Sequence, residues 1–407
     1  MHSEEYTTKK INLNNRIEFY ITHLISRLQK AGYDAYLVGG AIRDILLERT
    51  PKDYDVTTSA TPEQVRKVFG RRRARIIGRR FKIVHLYCGS DIIEISTFRK
   101  KPKDDTLNSA KKDYSDSMLI VNDNEYGTAY EDAWRRDFTV NSLYYDPVRK
   151  EILDFTSEGI NDLNNGIIRI IGDADTRFSE DPVRLLRALK LIGQYNFTVS
   201  PKTELSLNKL MQQILLASKS RLTLELEKIL RSPYAYNIIN VFRQHGFLKY
   251  YLSNFNKEVH SPEFKNSLDL FKIRCDLLKD GDAPDYLSLS LAAIVMPFVN
   301  TQLSGAPDTC IFSFNPEARK IIKETVNHIF APYFFPKYIV SAVADSILLQ
   351  NRIYKRITPN KTRKHPNFRI ARELAIILNS YWWKDDTIVD FWKSHNLRKD
   401  KYHNKPK

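Results

Sequence analysis

The sequence predicts an α/β head that contains a small mixed β-sheet, followed by a region that is all α-helix. Three observations support this prediction. Short apolar runs alternate with helical patterns between residues 34 and 97. From about Glu180 onward, apolar residues recur at helical spacing instead. Between the two regions, residues 100–125 are polar, interleave lysine with aspartate, and predict a flexible loop.

The head can be divided into elements in chain order. Residues 1–33 predict a polar start and an amphipathic helix, residues 36–38 a strand, residues 39–40 a turn, residues 41–47 a helix and residues 53–57 a strand. Thr61, Pro62 and Gln64 predict the next helix start, because they fit an N-cap, a first-turn proline and a capping box. That helix is expected to end near Phe69, and two strands are expected near residues 82–87 and 91–97.

The remainder of the chain predicts helices. Residues 180–191 and 222–230 have helical apolar spacing, and Ser200-Pro201 marks another helix start. The chain reads as mostly α to about residue 378, and it contains no internal repeat.

Composition restricts the function classes. The chain has 407 residues, 42% of them hydrophobic, so wholesale disorder is excluded. A net charge of +16 favours a polyanionic partner such as nucleic acid. No apolar run approaches bilayer length, and the first residues are polar and acidic, so we expect a soluble, cytoplasmic protein with no membrane partner. Three scattered cysteines predict neither disulfides nor a zinc site.

Asp53 and Asp55 are the first candidates for chemistry. In a strand, residues two apart point to one face, and two neighbouring carboxylates suit divalent metal ions. A solvated strand end is the plain alternative. Upstream, Gly39-Gly40 opens a helix that carries Arg43, a combination that suits phosphate binding. An ordinary tight turn is the alternative there.

A third carboxylate has two candidates. Strand alternation in residues 91–97 places Glu94 on the face opposite Ile93 and Ile95, where it can approach Asp53 and Asp55. An exposed strand charge explains Glu94 nearly as well. Asp137 follows two arginines and is the other candidate, with a structural ion pair to an arginine as its alternative.

Four ordered motifs resemble a known family. Residues 37–44 (Leu-Val-Gly-Gly-Ala-Ile-Arg-Asp) and 51–58 (Pro-Lys-Asp-Tyr-Asp-Val-Thr-Thr) resemble the catalytic signature of class II nucleotidyltransferases. That group includes bacterial poly(A) polymerases and tRNA CCA-adding enzymes. Residues 135–143 resemble its second arginine–aspartate motif, and residues 180–188 resemble its nucleotide-selecting helix. Beyond about residue 231 the resemblance thins.

The resemblance implies a polymerase-β-like head and an all-α neck, body and tail. It also implies that Asp53 and Asp55 hold two Mg²⁺ ions and that Asp137 is a catalytic or supporting carboxylate. The nucleotide-binding residues it implies fall into three groups: Gly39, Gly40, Arg43 and Arg136 at the triphosphate, Asp181 and Arg184 at the base edge, and Arg187 supporting that helix or contacting phosphate.

One segment favours the poly(A) branch of this family. Residues 76–86 resemble a stretch that marks bacterial poly(A) polymerases, and residues 365–372 resemble a late segment of the same enzymes. Both regions are basic, although a solvated basic surface explains some of these side chains. The RNA-binding residues expected there are Arg79, Arg80, Lys361, Arg363, Lys364 and Arg369.

The sequence therefore predicts transfer of AMP from ATP to RNA 3′ ends, with RNA and nucleoside triphosphate as partners and no protein partner indicated. Addition of CCA or A to tRNA is the alternative, and a non-catalytic RNA-binding protein is a remote one. We expect five domains: an N-terminal helix (residues 1–33), a head (34–155), a neck (156–231), a body (232–378) and a basic tail (379–407).

Overall fold

The computed structural model describes residues 6–78, 82–100, 125–304 and 316–394. The chain divides into two compact units, Met1–Ala217 and Ser218–Lys407. Most of the loop expected at residues 100–125 lies outside the described residues, as do Arg79, Arg80 and the end of the basic tail.

Eight strands form one mixed sheet in the first unit, in the order β1-β8-β7-β2-β3-β6-β5-β4. Only β3 and β6 run parallel, and the other neighbours are antiparallel. The strands are β1 (Thr7–Lys10), β2 (Ala35–Val38), β3 (Asp55–Thr58), β4 (Ala74–Ile77), β5 (Ile83–Cys88), β6 (Asp91–Thr97), β7 (Leu143–Asp146) and β8 (Glu151–Asp154). A separate parallel pair consists of β9 (Ile167–Ile168) and β10 (Thr198–Val199).

Four of the eight strands were not predicted from the sequence: the edge strands β1 and β4, and the neighbouring strands β7 and β8. Strand β1 lies in the polar start, where all four side chains are exposed and no alternation marks a strand. It forms because its backbone pairs with β8, from Thr7 with Asp154 to Lys10 with Glu151. Strand β4 at the other edge was also not predicted, and its pairing with β5 is again a long-range backbone contact.

Buried side chains cover both faces of the sheet. Leu37, Val56, Val84 and Ile95 are fully buried and share one face through their pairing. The opposite face carries an aromatic cluster of Tyr36, Val38, Phe98, Ala133, Tyr144, Leu153 and Phe155. This second face also carries Asp55, because Asp55 pairs with Val38.

The helices of the first unit are α1 (Phe19–Lys30), α2 (Gly40–Leu46), α3 (Pro62–Phe69), α4 (Ala129–Trp134), α5 (Gly159–Asn165), α6 (Ala174–Glu180), α7 (Val183–Tyr195) and α8 (Pro201–Leu210). The predicted capping box of α3 is confirmed. The helix predicted at residues 180–191 is present as α7, but it begins three residues later, because the chain breaks between α6 and α7. Pro182 has no backbone N–H, and it holds Asp181 in an extended conformation with φ −144° and ψ 93°.

The second unit is helical in the residues that the structure describes, as predicted. Its helices are α9 (Lys219–Leu230), α10 (Ala235–Gln244), α11 (Leu248–Tyr251), α12 (Ser253–Lys257), α13 (Pro262–Lys279), α14 (Leu287–Ser304), α15 (Pro316–Ile329), α16 (Lys337–Leu348), α17 (Gln350–Tyr354), α18 (Pro359–Arg363), α19 (Phe368–Leu378) and α20 (Asp386–Ser394). None of the helices in the described ranges is long and apolar enough to cross a bilayer.

Candidate active site

Asp53 and Asp55 are exposed at the beginning of strand β3. The strand starts at Asp55, two residues later than predicted. Strand β2 ends with Val38 opposite Asp55, and Gly39 then turns the chain away with φ 77°. No residue of β2 is left to pair with Asp53, so strand alternation determines the face of Asp55 alone.

A row of paired residues crosses the sheet through Asp55. Val38 is its neighbour on one side and Glu94 its neighbour on the other, and His85 follows Glu94. Nε2 of His85 lies 3.7 Å from Oε1 of Glu94. Within the described ranges, no group of three His, Cys, Asp or Glu side chains could hold a metal ion. Glu94 is therefore next to Asp55 in the sheet without completing a three-carboxylate site.

The glycine turn is the second part of the site. Because Val38 pairs with Asp55, the turn at Gly39 and Gly40 begins beside the carboxylates. A Cβ atom added to Gly39 would lie 3.6 Å from Nη1 of Arg136. The positive φ of Gly39 disfavours any side chain, and the guanidinium lies against the turn at ordinary contact distance. Two motifs that are distant in the sequence therefore meet at this turn.

Asp132 holds Arg136 in this position. Its Oδ2 accepts hydrogen bonds from Arg136 Nη2 at 3.0 Å and from the Tyr144 hydroxyl at 2.6 Å. Tyr144 also accepts a hydrogen bond from Arg136 Nε at 3.1 Å, and Arg135 lies 2.9 Å from Oδ1. Burial acts to raise the pKa of Asp132, but the charges of Arg136 and Arg135 outweigh it and lower the pKa. Asp132 is therefore a buried carboxylate that orients an arginine.

Arg43, which is expected at the triphosphate, is bonded to other side chains of the protein. It is 8% exposed. Its guanidinium donates to Asp44 Oδ1 at 2.9 Å, to Asn141 Oδ1 at 2.5 Å and to the Tyr195 hydroxyl at 2.5 Å. These contacts use both terminal nitrogens, so Arg43 links parts of the protein, and its contact with the triphosphate stays a prediction.

Asp137, predicted as a catalytic or supporting carboxylate, is bonded to two arginines, and its catalytic role stays a prediction. Its Oδ1 accepts from Arg184 Nε at 2.8 Å, and its Oδ2 accepts from Arg187 Nη1 at 2.6 Å. Burial would raise its pKa, but Arg187 and Arg184 together lower it. The ion-pair alternative is thus the observed arrangement, with arginines from α7 and not from its own motif.

Helix α7 carries the residues expected to select the nucleotide. Arg184 is 5% exposed, and its Nη1 donates to the Arg177 carbonyl at 2.6 Å and approaches Glu180 Oε2 at 3.4 Å. Its Nη2 has no hydrogen-bond partner among the described residues. Asp181 accepts from the backbone N–H of Val183 at 3.2 Å and so lies at the start of the helix. Arg184 is thus rigidly held with one nitrogen available.

Further residues support this arrangement and were not predicted. Arg177 donates to the carbonyls of Arg135 and Arg136 at 2.6 and 2.7 Å, and it bonds to Glu180 at 3.1 Å. The other supporting residues are Tyr144, which bonds to Arg136, and Asn141 and Tyr195, which bond to Arg43. The only available sequence signal was Asp132, which precedes Arg135 and Arg136 at the helical ion-pair spacings of three and four.

The residues expected to bind RNA lie in different places. Arg79 and Arg80 are outside the described residues. Lys361 and Lys364 are exposed in the second unit, and Arg363 donates to Asn360 at 2.7 Å. Arg369 is partly buried, with its guanidinium 5.7 Å from the centre of the Tyr286 ring. Of the four described cations, Lys361 and Lys364 are therefore the most exposed, and Arg363 and Arg369 are partly buried.

Comparison with known protein families gives two matches. A family model described as "Poly A polymerase head domain" matches residues 35–169. A second, described as "Probable RNA and SrmB- binding site of polymerase A", matches residues 196–259.

Curated relatives belong to two named groups. Poly(A) polymerase I of Escherichia coli O6:H1 is 32% identical over 357 residues, which cover 86% of this chain and 76% of the relative. A CCA-adding enzyme of Staphylococcus aureus is 32% identical over 250 residues, covering 61% of this chain and 56% of the relative.

Solved structures show the same fold. A tRNA-processing enzyme in an apo form superposes with a TM-score of 0.60 at 22% identity, covering 92% of both chains. A Thermotoga maritima CCA-adding enzyme, solved with tRNA, superposes with a TM-score of 0.56 at 20% identity, covering 96% of this chain and 88% of that one.

Proposed function

The chain belongs to the class II nucleotidyltransferase family of bacterial poly(A) polymerases and tRNA CCA-adding enzymes, and from this membership we propose that it adds AMP from ATP to RNA 3′ ends. Nucleotidyl transfer to RNA without a template is the activity common to these relatives, and this chain is such a nucleotidyltransferase. The choice of ATP and the poly(A) product are the proposal.

One observation carries the proposal. The pairing of Val38 with Asp55 places the Gly39 turn beside an exposed carboxylate, and Arg136 lies against the same turn. A triphosphate bound there has a cation at its phosphates and carboxylates beside it. This combination suits phosphoryl transfer, in which positioning and charge neutralisation provide most of the catalysis.

The proposed reaction is an in-line displacement. The RNA 3′-oxygen forms a bond to the α-phosphorus of ATP, the bond to the β-phosphate oxygen breaks, and pyrophosphate leaves with that electron pair. Arg136, held by Asp132 and Tyr144, stabilises the triphosphate charge. Arg184 and Asp181 contact the base edge, and Arg187 keeps its place through Asp137. Arg43 supports the site through its hydrogen bonds to Asp44, Asn141 and Tyr195.

Asp53 and Asp55 are the proposed holders of Mg²⁺. Exposed carboxylate oxygens are ligands that Mg²⁺ prefers, and a bound Mg²⁺ keeps several waters, so two protein carboxylates suffice. When bound, the metal supplies activation of the 3′-hydroxyl and neutralisation of the developing charge. Glu94 is proposed to contribute from the neighbouring strand, where it faces Asp55 in register.

We favour poly(A) synthesis over CCA addition because of the extent of similarity. At the same 32% identity, the poly(A) polymerase match covers 86% of the chain and the CCA-adding match covers 61%.

We propose the boundaries given above for head, neck and body, with RNA contacted by the exposed Lys361 and Lys364 and by Arg79, Arg80, Arg363 and Arg369. The net charge of +16 supports an RNA partner.

The testing experiment offers each nucleoside triphosphate separately with Mg²⁺. The acceptors are an unstructured RNA and a tRNA that lacks its 3′ end. Long A tails on the first RNA are expected. Ordered addition of C, C and A to the tRNA alone would instead establish the alternative, and RNA binding without any incorporation would leave a non-catalytic binder.

A further inference from the structure

Tyr195 is the last residue of helix α7, and it is only 8% exposed. Its hydroxyl donates to Asp44 Oδ1 at 2.6 Å and accepts from Arg43 Nη2 at 2.5 Å. The guanidinium carbons of Arg43 and Arg49 lie 4.4 and 4.5 Å from the centre of its ring. All three partners belong to helix α2 or the turn that follows it, so Tyr195 joins one end of α7 to α2.

The other end of α7 is joined to the head by Arg184 and Asp137. Eleven residues separate Arg184 from Tyr195, roughly three helical turns, so the two side chains lie on nearly the same face of α7. At about 1.5 Å per residue, the two attachments are roughly 16 Å apart along the helix. The two polar attachments lie near opposite ends of α7 and add to the packing of its buried side chains, so together they hold the direction of the helix axis.

We infer that Tyr195 is a positioning residue: it fixes the direction of α7 and thereby the position of Arg184 relative to the glycine turn, which sets how selectively the site accepts a nucleotide. The inference rests on the proposed function, because it assumes that Arg184 contacts the base. Tyr195 itself contacts neither nucleotide nor RNA, and it acts through α2 and α7.

The chemistry of the hydroxyl suits this role. Burial raises the pKa of Tyr195, and Asp44 raises it further against the opposing charge of Arg43. The phenol therefore stays protonated and can donate to Asp44 while it accepts from Arg43. Arg43 also donates to Asn141 at 2.5 Å, a residue within the arginine–aspartate motif. Phenylalanine at this position keeps the ring but loses these two hydrogen bonds and a third, which the hydroxyl accepts from Gln194 Nε2 at 3.0 Å.

The test compares Tyr195→Phe with Tyr145→Phe. Tyr145 is fully buried, and its hydroxyl accepts from the Leu13 N–H at 2.9 Å and donates to Asn14 Oδ1 at 2.8 Å. Unlike Tyr195, it joins the N-terminal segment to the sheet. Steady-state kcat and KM would be measured for ATP and for CTP on the unstructured RNA, with thermal melting of each variant.

We expect both variants to melt at similar temperatures. Only Tyr195→Phe should raise KM for ATP, by roughly 5- to 10-fold, and lower the ATP-over-CTP preference by a similar factor, with a smaller change in kcat. Equal kinetic constants and preference for the two variants would overturn the inference. A loss of kcat alone, with preference unchanged, would also overturn it.

A double-mutant cycle with Asp44→Asn tests the route. If Tyr195 acts through its bond to Asp44, the two single effects on KM should be less than additive in the double variant, and fully additive effects would contradict this. The unchanged chain is measured first. If it incorporates no nucleotide, the proposed function fails and this inference fails with it. If it incorporates nucleotide normally, a negative result for Tyr195→Phe contradicts only the inference about Tyr195.

Discussion

Asp137 and Arg184, 47 residues apart in the chain, are joined by a hydrogen bond of 2.8 Å between Oδ1 and Nε. The second carboxylate oxygen of Asp137 is used by Arg187. A side chain that the sequence indicated as catalytic is therefore an anchor for the arginines indicated as nucleotide-selecting. The carboxylates proposed to hold the metal are Asp55 and Glu94, which pair in the sheet, and Asp53, which precedes strand β3.

Asp53→Asn and Asp55→Asn should each reduce kcat for AMP incorporation by about 1000-fold or more, because metal binding is worth several kcal/mol of transition-state stabilisation. Both side chains are exposed, so melting temperatures should stay close to that of the unchanged chain. Incorporation of labelled ATP into RNA is the measurement. Asp282→Asn, at an exposed turn residue of the second unit, is the control and should keep full activity. Near-normal incorporation by either site variant would remove these residues from the mechanism.

Asp132→Ala should destabilise the first unit by about 3 to 5 kcal/mol, because it leaves Arg136 partly buried without its carboxylate. The side chain of Asp132 is 1% exposed and lies 3.0 Å from Arg136 and 2.9 Å from Arg135. Urea unfolding monitored by circular dichroism would give the change. Asp175→Ala breaks an exposed ion pair with Lys209 and should leave the unfolding midpoint nearly unchanged. Similar midpoints for both variants would show that the buried network contributes little.

Arg184→Lys should relax nucleotide choice while the protein stays folded. Lysine keeps the charge, but one ammonium group cannot replace the separate contacts of Nε with Asp137 and of Nη1 with the Arg177 carbonyl. We expect the preference for ATP over CTP to fall by about 10-fold or more, since two charge-assisted hydrogen bonds are disturbed. Arg243→Lys, at an exposed position of α10, is the matched control. An unchanged preference in Arg184→Lys would argue against base recognition by α7.

Stability should depend on pH through Asp132 and Asp137. Burial opposes the charged form of both, but their arginines lower both pKa values from the ordinary 3.8. A carboxyl with a lower pKa in the folded state stabilises fully above its unfolded-state pKa, and this contribution is lost as the pH falls through the folded-state value. The free energy of unfolding should therefore drop below about pH 4. Chemical denaturation between pH 7 and 2 measures it, and Asp132→Asn should show a shallower drop. An equal drop in both proteins would contradict this assignment.

Strands β2, β3, β5 and β6 and most helices of the first unit followed from local pattern. Residues near Ala35–Val38 and Pro62–Phe69 carry their own signals, an apolar run and a complete capping box. The edge strand Thr7–Lys10 carries none, because its four side chains are exposed and only its backbone pairs with β8. The break at Pro182 was readable in principle, but continuous apolar spacing concealed it.

The sequence by itself determined the class of the protein and the identity of its chemical groups, because four short motifs each place a few required side chains at fixed spacing. Only the tertiary structure decided what those groups contact. Asp137 bonds to Arg184 and not to the residues beside it, and Arg43 bonds to Tyr195. The physical reason is that a buried charge must find its partner in three dimensions, and helix and sheet packing brings together residues that no local spacing relates.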